Sequence, residues 1–338
     1  MELPEVVIIG DNTFNHNNMS FFIRSSALLL TGPNVGRIFE EKIESALAGI
    51  SYKKVIVNES SYSEAERIAN KEADGGYDAV IGFGGGKVLD VAKFVGYTAG
   101  IPMVSVPTSA SNDGIASPFS SLKGGTHPYS IKVKPPRGVI IDLSIITRAP
   151  KRYILSGLGD LLGKFTSVRD WRLAWIEKGE YYGEYASKLA YESARHAFTS
   201  TKGIEDLKHG AVRNLMEALI SAGVAGGIAG SSRPLSGSEH LISHALDVIA
   251  PDKGTHGEKV SLSTVFISYL YGMNWKRIKS KIIDVGLPQS FEEIGVSKDE
   301  VIKAIEMAPS LRPERYTILH KINLTRERIE SILDEIKI

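Results

Sequence analysis

Over its first 150 residues the chain alternates short β-branched runs with amphipathic segments, and that alternation leaves few folds open. Residues 27–34 (ALLLTGPN) read as a strand leaving into a Gly/Pro/Asn turn, and 36–47 follow with helical spacing of Ile38, Phe39, Ile43 and Leu47. Residues 53–60 (KKVIVNES) read as a second strand and 63–74 as a helix. Ser63 is its expected N-cap, with Glu66 three residues on completing a capping box. A third strand, 78–86, ends in glycines and passes into the helix VLDVAKFVGYTAG; 101–109 form a fourth strand. Residues 110–136, rich in Ser, Gly, Pro and Lys, read as a loop or hairpin excursion, 137–146 as one more buried strand, and Pro150 closes the region. Strands separated by helices imply right-handed crossovers and a doubly wound, mostly parallel sheet. Such a sheet binds ligands at the carboxyl ends of its strands.

Beyond Pro150 the strand signals fade. Residues 156–178, 183–202, 205–229, 236–249, 257–278 and 298–307 read as helices, separated by glycine-rich junctions such as AGGIAGSSRPLSGS. The expected plan is a Rossmann-like α/β domain over 1–150 and an all-helical domain over 151–338, with ligands in the cleft between them.

Composition narrows the chemistry. With 43% hydrophobic residues in 338, a sizeable core can form. The 40 basic and 39 acidic residues nearly cancel, so no nucleic-acid partner is expected. Cysteine is absent, which excludes disulfides, thiolate-bound zinc, iron–sulfur clusters and a thiol nucleophile; any metal must rest on His, Asp, Glu or backbone oxygen. No apolar run approaches the ~20 residues of a membrane span, and the N-terminus shows no leader pattern. A soluble, cytoplasmic protein is expected.

Three segments carry candidate chemistry. Gly82-Phe83-Gly84-Gly85-Gly86-Lys87-Val88-Leu89-Asp90 lies between a strand and a helix. Glycines there let the backbone approach a phosphate, and the helix N-terminus offers N–H groups to an anion. The segment matches neither the Rossmann G-x-G-x-x-G nor a Walker A loop, and a bare strand-to-helix turn would use the same residues. Val106-Pro107-Thr108-Ser109-Ala110-Ser111-Asn112-Asp113-Gly114 follows the fourth strand on the same sheet edge, offering hydroxyls and one carboxylate, or simply turn geometry. Finally, Glu239-His240-Leu241-Ile242-Ser243-His244 sets two imidazoles at i and i+4, His256 follows in Thr255-His256-Gly257-Glu258-Lys259, and Gly157-Leu158-Gly159-Asp160 supplies a carboxylate upstream. These are ordinary polar side chains, or a His/His/Asp set with an open position suited to zinc or ferrous iron. Spacing alone pairs His240 with His244.

In their order, GGGKVLD, PTSASNDGIASP, GLGDLLGK, SEHLISH and HGEKV resemble the superfamily of iron-containing alcohol dehydrogenases, glycerol dehydrogenases and dehydroquinate synthases. Within it, PTSASNDGIASPFSS and SGSEHLISHALD are most similar to the sn-glycerol-1-phosphate dehydrogenases. That resemblance implies a dehydroquinate synthase-like fold and NADPH- or NADH-dependent reduction of dihydroxyacetone phosphate for archaeal-type ether lipids, in a homo-oligomer. It implies that Gly85, Gly86, Lys87, Val88, Leu89 and Asp90 hold the cofactor pyrophosphate and nearby groups, and that Thr108, Ser109, Ala110, Ser111 and Ser117 meet the nicotinamide end. It assigns Asp160, His240 and His256 to one zinc ion, with iron an alternative, and Asp113, Asp160 and His244 to substrate, the last two as catalytic residues. The substrate phosphate has four candidate partners by proximity to these motifs: Lys123, Lys132, Lys164 and Arg233. Residues 57–60 (VNES) at the end of the second strand bear on NAD against NADP, because a carboxylate there favours the free ribose while Asn58 and Ser60 would admit a 2′-phosphate. A glycerol dehydrogenase acting on the unphosphorylated polyol and a non-catalytic nucleotide-binding module are the competing readings.

Overall fold

The computed structural model describes residues 1–124, 130–200 and 202–338; parts of the expected 110–136 excursion and 183–202 helix lie outside them. The chain forms two compact units. One contains Met1–Ala110 and Gly114–Pro150; the other contains Lys151–Ile338 together with the tripeptide Ser111–Asp113.

The first unit is built on β1 (Val6–Gly10), β2 (Ser26–Thr31), β3 (Ser51–Ile56), β4 (Ala79–Gly84), β5 (Met103–Pro107) and β8 (Gly138–Asp142), with a separate hairpin of β6 (Phe119–Ser121) and β7 (Ser130–Lys132). The six strands run in the order β1-β8-β5-β4-β2-β3 and every pairing is parallel. Strands covered on both faces need nearly continuous apolar sequence. β4, with AVIGFG, is accordingly buried at every position. Helices α1 (His16–Phe22), α2 (Pro33–Ile38), α3 (Glu40–Ala46), α4 (Tyr62–Glu72), α5 (Gly86–Ala99) and α6 (Leu143–Ile146) complete this unit. From β2 the sheet grows one way to β3, and from β4 the other way to β5 and β8. The reversal falls between β2 and β4, beside the glycine-rich turn that ends β4.

Local details differ from expectation. The N-cap of α4 lies two residues earlier than expected: it is Ser61, which accepts from the Glu64 amide, and Glu66 accepts from the Tyr62 hydroxyl instead of closing a capping box on Ser63. β1 and α1 were not anticipated, because VVIIG is short and HNNMSFF carries little helical periodicity. The 36–47 helix is two short ones broken at Phe39, and the 137–146 strand turns into α6 after Asp142. Asp142 stops the strand because its carboxylate caps α6 and also accepts from the Asn12 and Phe14 amides.

The second unit is helical: α7 (Lys151–Leu162), α8 (Lys164–Lys178), α9 (Glu184–Thr199), α10 (His209–Ala229), α11 (Ser238–Ile249), α12 (His256–Leu270), α13 (Trp275–Val285), α14 (Lys298–Leu311), α15 (Ile318–Lys321) and α16 (Arg326–Ile336). The expected 156–178 helix breaks at Gly163, and the 257–278 helix breaks after Leu270. Where α7 meets α12, backbone rests directly on backbone. A Cβ on Gly257 would lie 1.7 Å from the Ser156 carbonyl oxygen, and one on Gly159 would lie 2.2 Å from the Gly257 carbonyl oxygen. Each glycine adjoins a candidate ligand, Asp160 or His256, so the close approach sets how near those two side chains come. Among the described residues, no helix is long and apolar enough to cross a membrane.

Candidate active site

In the helical unit, donor atoms of Asp160, His240 and His256 all lie within 4.8 Å of one another. Asp160 Oδ1 is 3.2 Å from His240 Nε2 and 3.5 Å from His256 Nε2. Ligands about 2.0 Å from a tetrahedral ion stand about 3.3 Å apart, so this spacing fits a zinc-sized ion.

Each side chain is placed by its own local structure. Thr255 and Glu258 form a reciprocal capping box, with Thr255 N–H donating to Glu258 Oε2 at 2.6 Å, and this fixes His256 as the first residue of α12. Glu258 is also clamped by both arms of Arg152, at 2.6 and 2.7 Å. The start of α11 has no side-chain cap of its own. Asp170 of α8 supplies it, accepting from Ser238 N–H at 2.7 Å, and it also accepts from Tyr271 Oη and Ile318 N–H. Glu239 then accepts from Gly237 N–H, Thr166 Oγ1 and His240 Nδ1, each at 2.7 Å. A carboxylate on Nδ1 fixes the tautomer and turns Nε2 toward Asp160, the usual outer support of a metal-bound histidine.

Asp160 accepts from Lys164 Nζ at 3.0 Å and from the Asp113 backbone N–H at 3.1 Å. Lys164 also pairs with Asp113 Oδ2 at 2.7 Å. Burial by itself would raise Asp160, but the Lys164 charge and the two histidine hydrogen bonds overcome it and hold the carboxyl well below its ordinary range. Burial pushes Asp113 up, against the pull of Lys164. Buried Asp160 and the mostly buried Asp113 share the ammonium of Lys164, and buried Glu239 rests on His240, an excess of negative charge among the described residues that a divalent cation would offset. Donor type, spacing and charge all suit such an ion.

His244 stands apart from the donor set. Its ring centre is 6.3 Å from those of His240 and His256, and its Nδ1 is 3.8 Å from Asp247, which is itself paired with Lys259. The i,i+4 pairing suggested by spacing is therefore replaced by His240 with His256 (ring centres 5.1 Å apart), because the turn before α12 brings His256 across to the first turn of α11. Burial pushes His244 down to about 4, with Asp247 opposing only in part. The imidazole is neutral at neutral pH and suited to relay a proton through its ring nitrogens. A histidine depressed below its ordinary value of 6.5 binds fewer protons folded than unfolded between that value and about 4. Its contribution to stability is thus full above that window and lost as pH falls through it, by roughly 3 kcal/mol in all. Unfolding midpoints in urea from pH 7 to 4 should fall less steeply in His244→Gln than in wild type; parallel slopes would show that His244 keeps its ordinary affinity for protons.

In the α/β unit, Gly85 is the extended N-cap of α5, and the Val88 and Leu89 amides turn back to its carbonyl. The Thr108 amide donates to Gly84 carbonyl at 3.0 Å, joining the serine-threonine turn to the glycine turn at the carboxyl edge of the sheet. Thr108, Ser109, Ala110 and Ser117 are buried there, whereas Ser111 and Asp113 belong to the helical unit. Lys87, Val88 and Leu89 form the first turn of α5, while Asp90 pairs at 3.0 Å with the buried Lys93. The strand beside β4 is β2, not β3. Residues 57–60, at the end of β3, therefore lie one strand further from the turn, and next to it comes Thr31-Gly32-Pro33, which carries no carboxylate; a Cβ on Gly32 would lie 3.8 Å from Val88 Cγ2.

Two of the four phosphate candidates are already engaged. Lys164 is fully buried on Asp113, Asp160 and the Leu235 carbonyl, and Arg233 is buried on Glu180 and the Tyr316 carbonyl. Lys123 and Lys132 are exposed in the α/β unit, near and on the hairpin.

The iron-containing alcohol dehydrogenase family model matches residues 16–150. A glycerol-1-phosphate dehydrogenase [NAD(P)+] of Sulfolobus acidocaldarius is 48% identical over 99% of this chain and 97% of its own length, and one of Hyperthermus butylicus is 45% identical over 98% and 97%. The chain belongs to the glycerol-1-phosphate dehydrogenase family. Among solved structures, the glycerol dehydrogenase of Schizosaccharomyces pombe has the same fold, with a TM-score of 0.80 at 22% identity over 99% of this chain and 89% of that one. A probable glycerol dehydrogenase of Sinorhizobium meliloti gives 0.79 at 22% identity over 99% and 97%. The role of Glu239 escaped the sequence reading, and Lys164, read there as a phosphate candidate, instead pairs with Asp160 four residues before it; each is a signal only once the helix carrying its neighbour is known to face the site.

Proposed function

We propose that this protein reduces dihydroxyacetone phosphate to sn-glycerol 1-phosphate with NADPH or NADH, supplying the glycerophosphate backbone of archaeal-type ether lipids. The supporting observation is the convergent Asp160–His240–His256 donor set in a chain nearly half identical to enzymes of that name. Asp160, His240 and His256 would hold a zinc ion, which when bound supplies a Lewis acid for the substrate's C2 oxygen. The turns at Gly85–Asp90 and Thr108–Ala110 with Ser117 would hold the nicotinamide nucleotide, the source of the hydride, and the lack of a carboxylate at Thr31-Gly32-Pro33 suits use of both NADH and NADPH.

The protein's own groups do the rest. Asp113 orients a substrate hydroxyl from the Lys164 side of the site. His244, neutral and backed by Asp247, passes a proton between solvent and the C2 oxygen. His240, raised by Asp160 and Glu239 although burial lowers it, takes up protons on acidification, so metal retention weakens as pH falls. The same reading places the enzyme in the cytoplasm as a homo-oligomer. The exposed Trp175, Ile176, Tyr181 and Tyr185, grouped from the end of α8 to the start of α9, offer the apolar surface that a subunit contact uses.

The deciding test is a spectrophotometric assay of zinc-loaded protein with NADPH or NADH, giving dihydroxyacetone phosphate in one cuvette and dihydroxyacetone in another. Oxidation only with the phosphate ester, yielding the sn-1 isomer, is expected. Equal turnover of dihydroxyacetone would instead make this a glycerol dehydrogenase, and silence in both would leave a nucleotide-binding protein without this chemistry.

A further inference from the structure

Lys164 has no task in the chemistry above, yet it occupies the middle of the site. Its side chain is fully buried, and its ammonium reaches Asp160 Oδ1 at 3.0 Å, Asp113 Oδ2 at 2.7 Å and the Leu235 carbonyl at 2.9 Å. An ammonium has three N–H donors, and three acceptors engage them here, so none is left for a substrate phosphate. Two carboxylates therefore share one cation. Asp160 belongs to the converging donor set. Asp113 lies just outside it, tied to Asp160 a second time through its own backbone N–H at 3.1 Å.

That arrangement carries a hazard. A carboxylate oxygen is a good ligand for a divalent ion, and a fourth protein ligand turns an open, catalytic site into a closed, structural one. Among the described residues, Asp113 is the further carboxylate in direct contact with the Lys164–Asp160 pair, so it is the side chain placed to become that ligand. We infer that Lys164 is a positioning residue that keeps the site open: it holds the Asp113 carboxylate on its ammonium, off the ion, and leaves the fourth position to substrate. This rests on the proposal that Asp160, His240 and His256 hold a divalent metal. The break between α7 and α8 at Gly163 fits that role, since it lets Lys164 keep an i,i+4 pair with Asp160 while reaching Leu235 in the loop before α11.

The experiment measures metal binding, not turnover. Full-length apoprotein is titrated with Zn2+ in competition with a chromophoric chelator, and with Co2+ while its visible bands are followed with and without dihydroxyacetone phosphate. Wild type is expected to bind one ion, lost in Asp160→Asn, with cobalt bands that shift when the ester is added. Lys164→Gln is expected to bind zinc on the order of ten- to a hundredfold more tightly, with cobalt bands that no longer respond to the ester. Adding Asp113→Asn to that variant should restore both wild-type behaviours. Unchanged or weaker zinc affinity in Lys164→Gln, with bands still responsive, would make the lysine a mere structural counter-charge and overturn the inference. If Lys164→Gln does not fold, Asp113→Asn alone decides: zinc affinity within about twofold of wild type fits an aspartate held off the ion, and a tenfold loss or more would mark Asp113 as a native ligand and overturn it. Absence of any Asp160-dependent ion in wild type would instead remove the metal proposal, and this inference with it.

Discussion

His240→Ala and His256→Ala are each expected to leave the protein without bound metal and to lower kcat/KM for dihydroxyacetone phosphate at least about a thousandfold, equivalent to roughly 4 kcal/mol of transition-state stabilisation. Either change leaves two of the three donors that converge within 4.8 Å. The loss should differ in kind from that of His244→Ala, which stands outside the donor set and should keep its metal while losing rate. Metal content by emission spectroscopy, beside steady-state kinetics, separates the two. A His256→Ala protein that retains one ion and near-normal rate would refute the ligand assignment, whatever becomes of the substrate.

Gly257→Ala is expected to be nearly as damaging, though it touches no ligand. Its new Cβ would stand 1.7 Å from the Ser156 carbonyl oxygen, about half of a normal contact, and the obstacle is backbone that cannot rotate aside. Helices α7 and α12 must separate, at a cost of roughly 3 kcal/mol or more, near the upper range for an overpacked interior. Unfolding temperature should fall by about 6–12 °C for a unit of this size. Because α7 carries Asp160 and α12 begins at His256, the same separation should weaken metal binding. Differential scanning calorimetry with a metal assay measures both. A Gly257→Ala variant with wild-type melting and full metal would mean that the helices do not need this approach.

The alternation of strands and helices was legible because each buried strand is a short apolar run punctuated by Gly, Pro or Asn, as in ALLLTGPN and the run into GFGGG. β1 and α15 escaped because five and four residues show no period. The cap of α4 was misplaced because Ser61 and Ser63 are both plausible, and only tertiary placement chose Ser61. Strand order could not be read at all, so nothing in the sequence told that β2, not β3, adjoins β4. At the candidate metal site, spacing offered His240 with His244; the family pattern offered His256, whose approach depends on a turn and a helix crossing that no local period encodes. Lys164 was legible only as a charge, because its burial follows from the packing of α8 and the loop before α11.

The tripeptide Ser111–Asp113 belongs to the helical unit, although the chain on both sides of it belongs to the α/β unit. The polypeptide visits its second unit briefly, returns, and enters for good only at Lys151. A gene cut at that residue would encode every helix that carries a histidine of the site but would leave behind the aspartate paired with Lys164. The helical half is therefore not an exchangeable module. Recombination at residue 150 would give chimaeras with a buried lysine short of a partner, so the two halves are constrained to be inherited together.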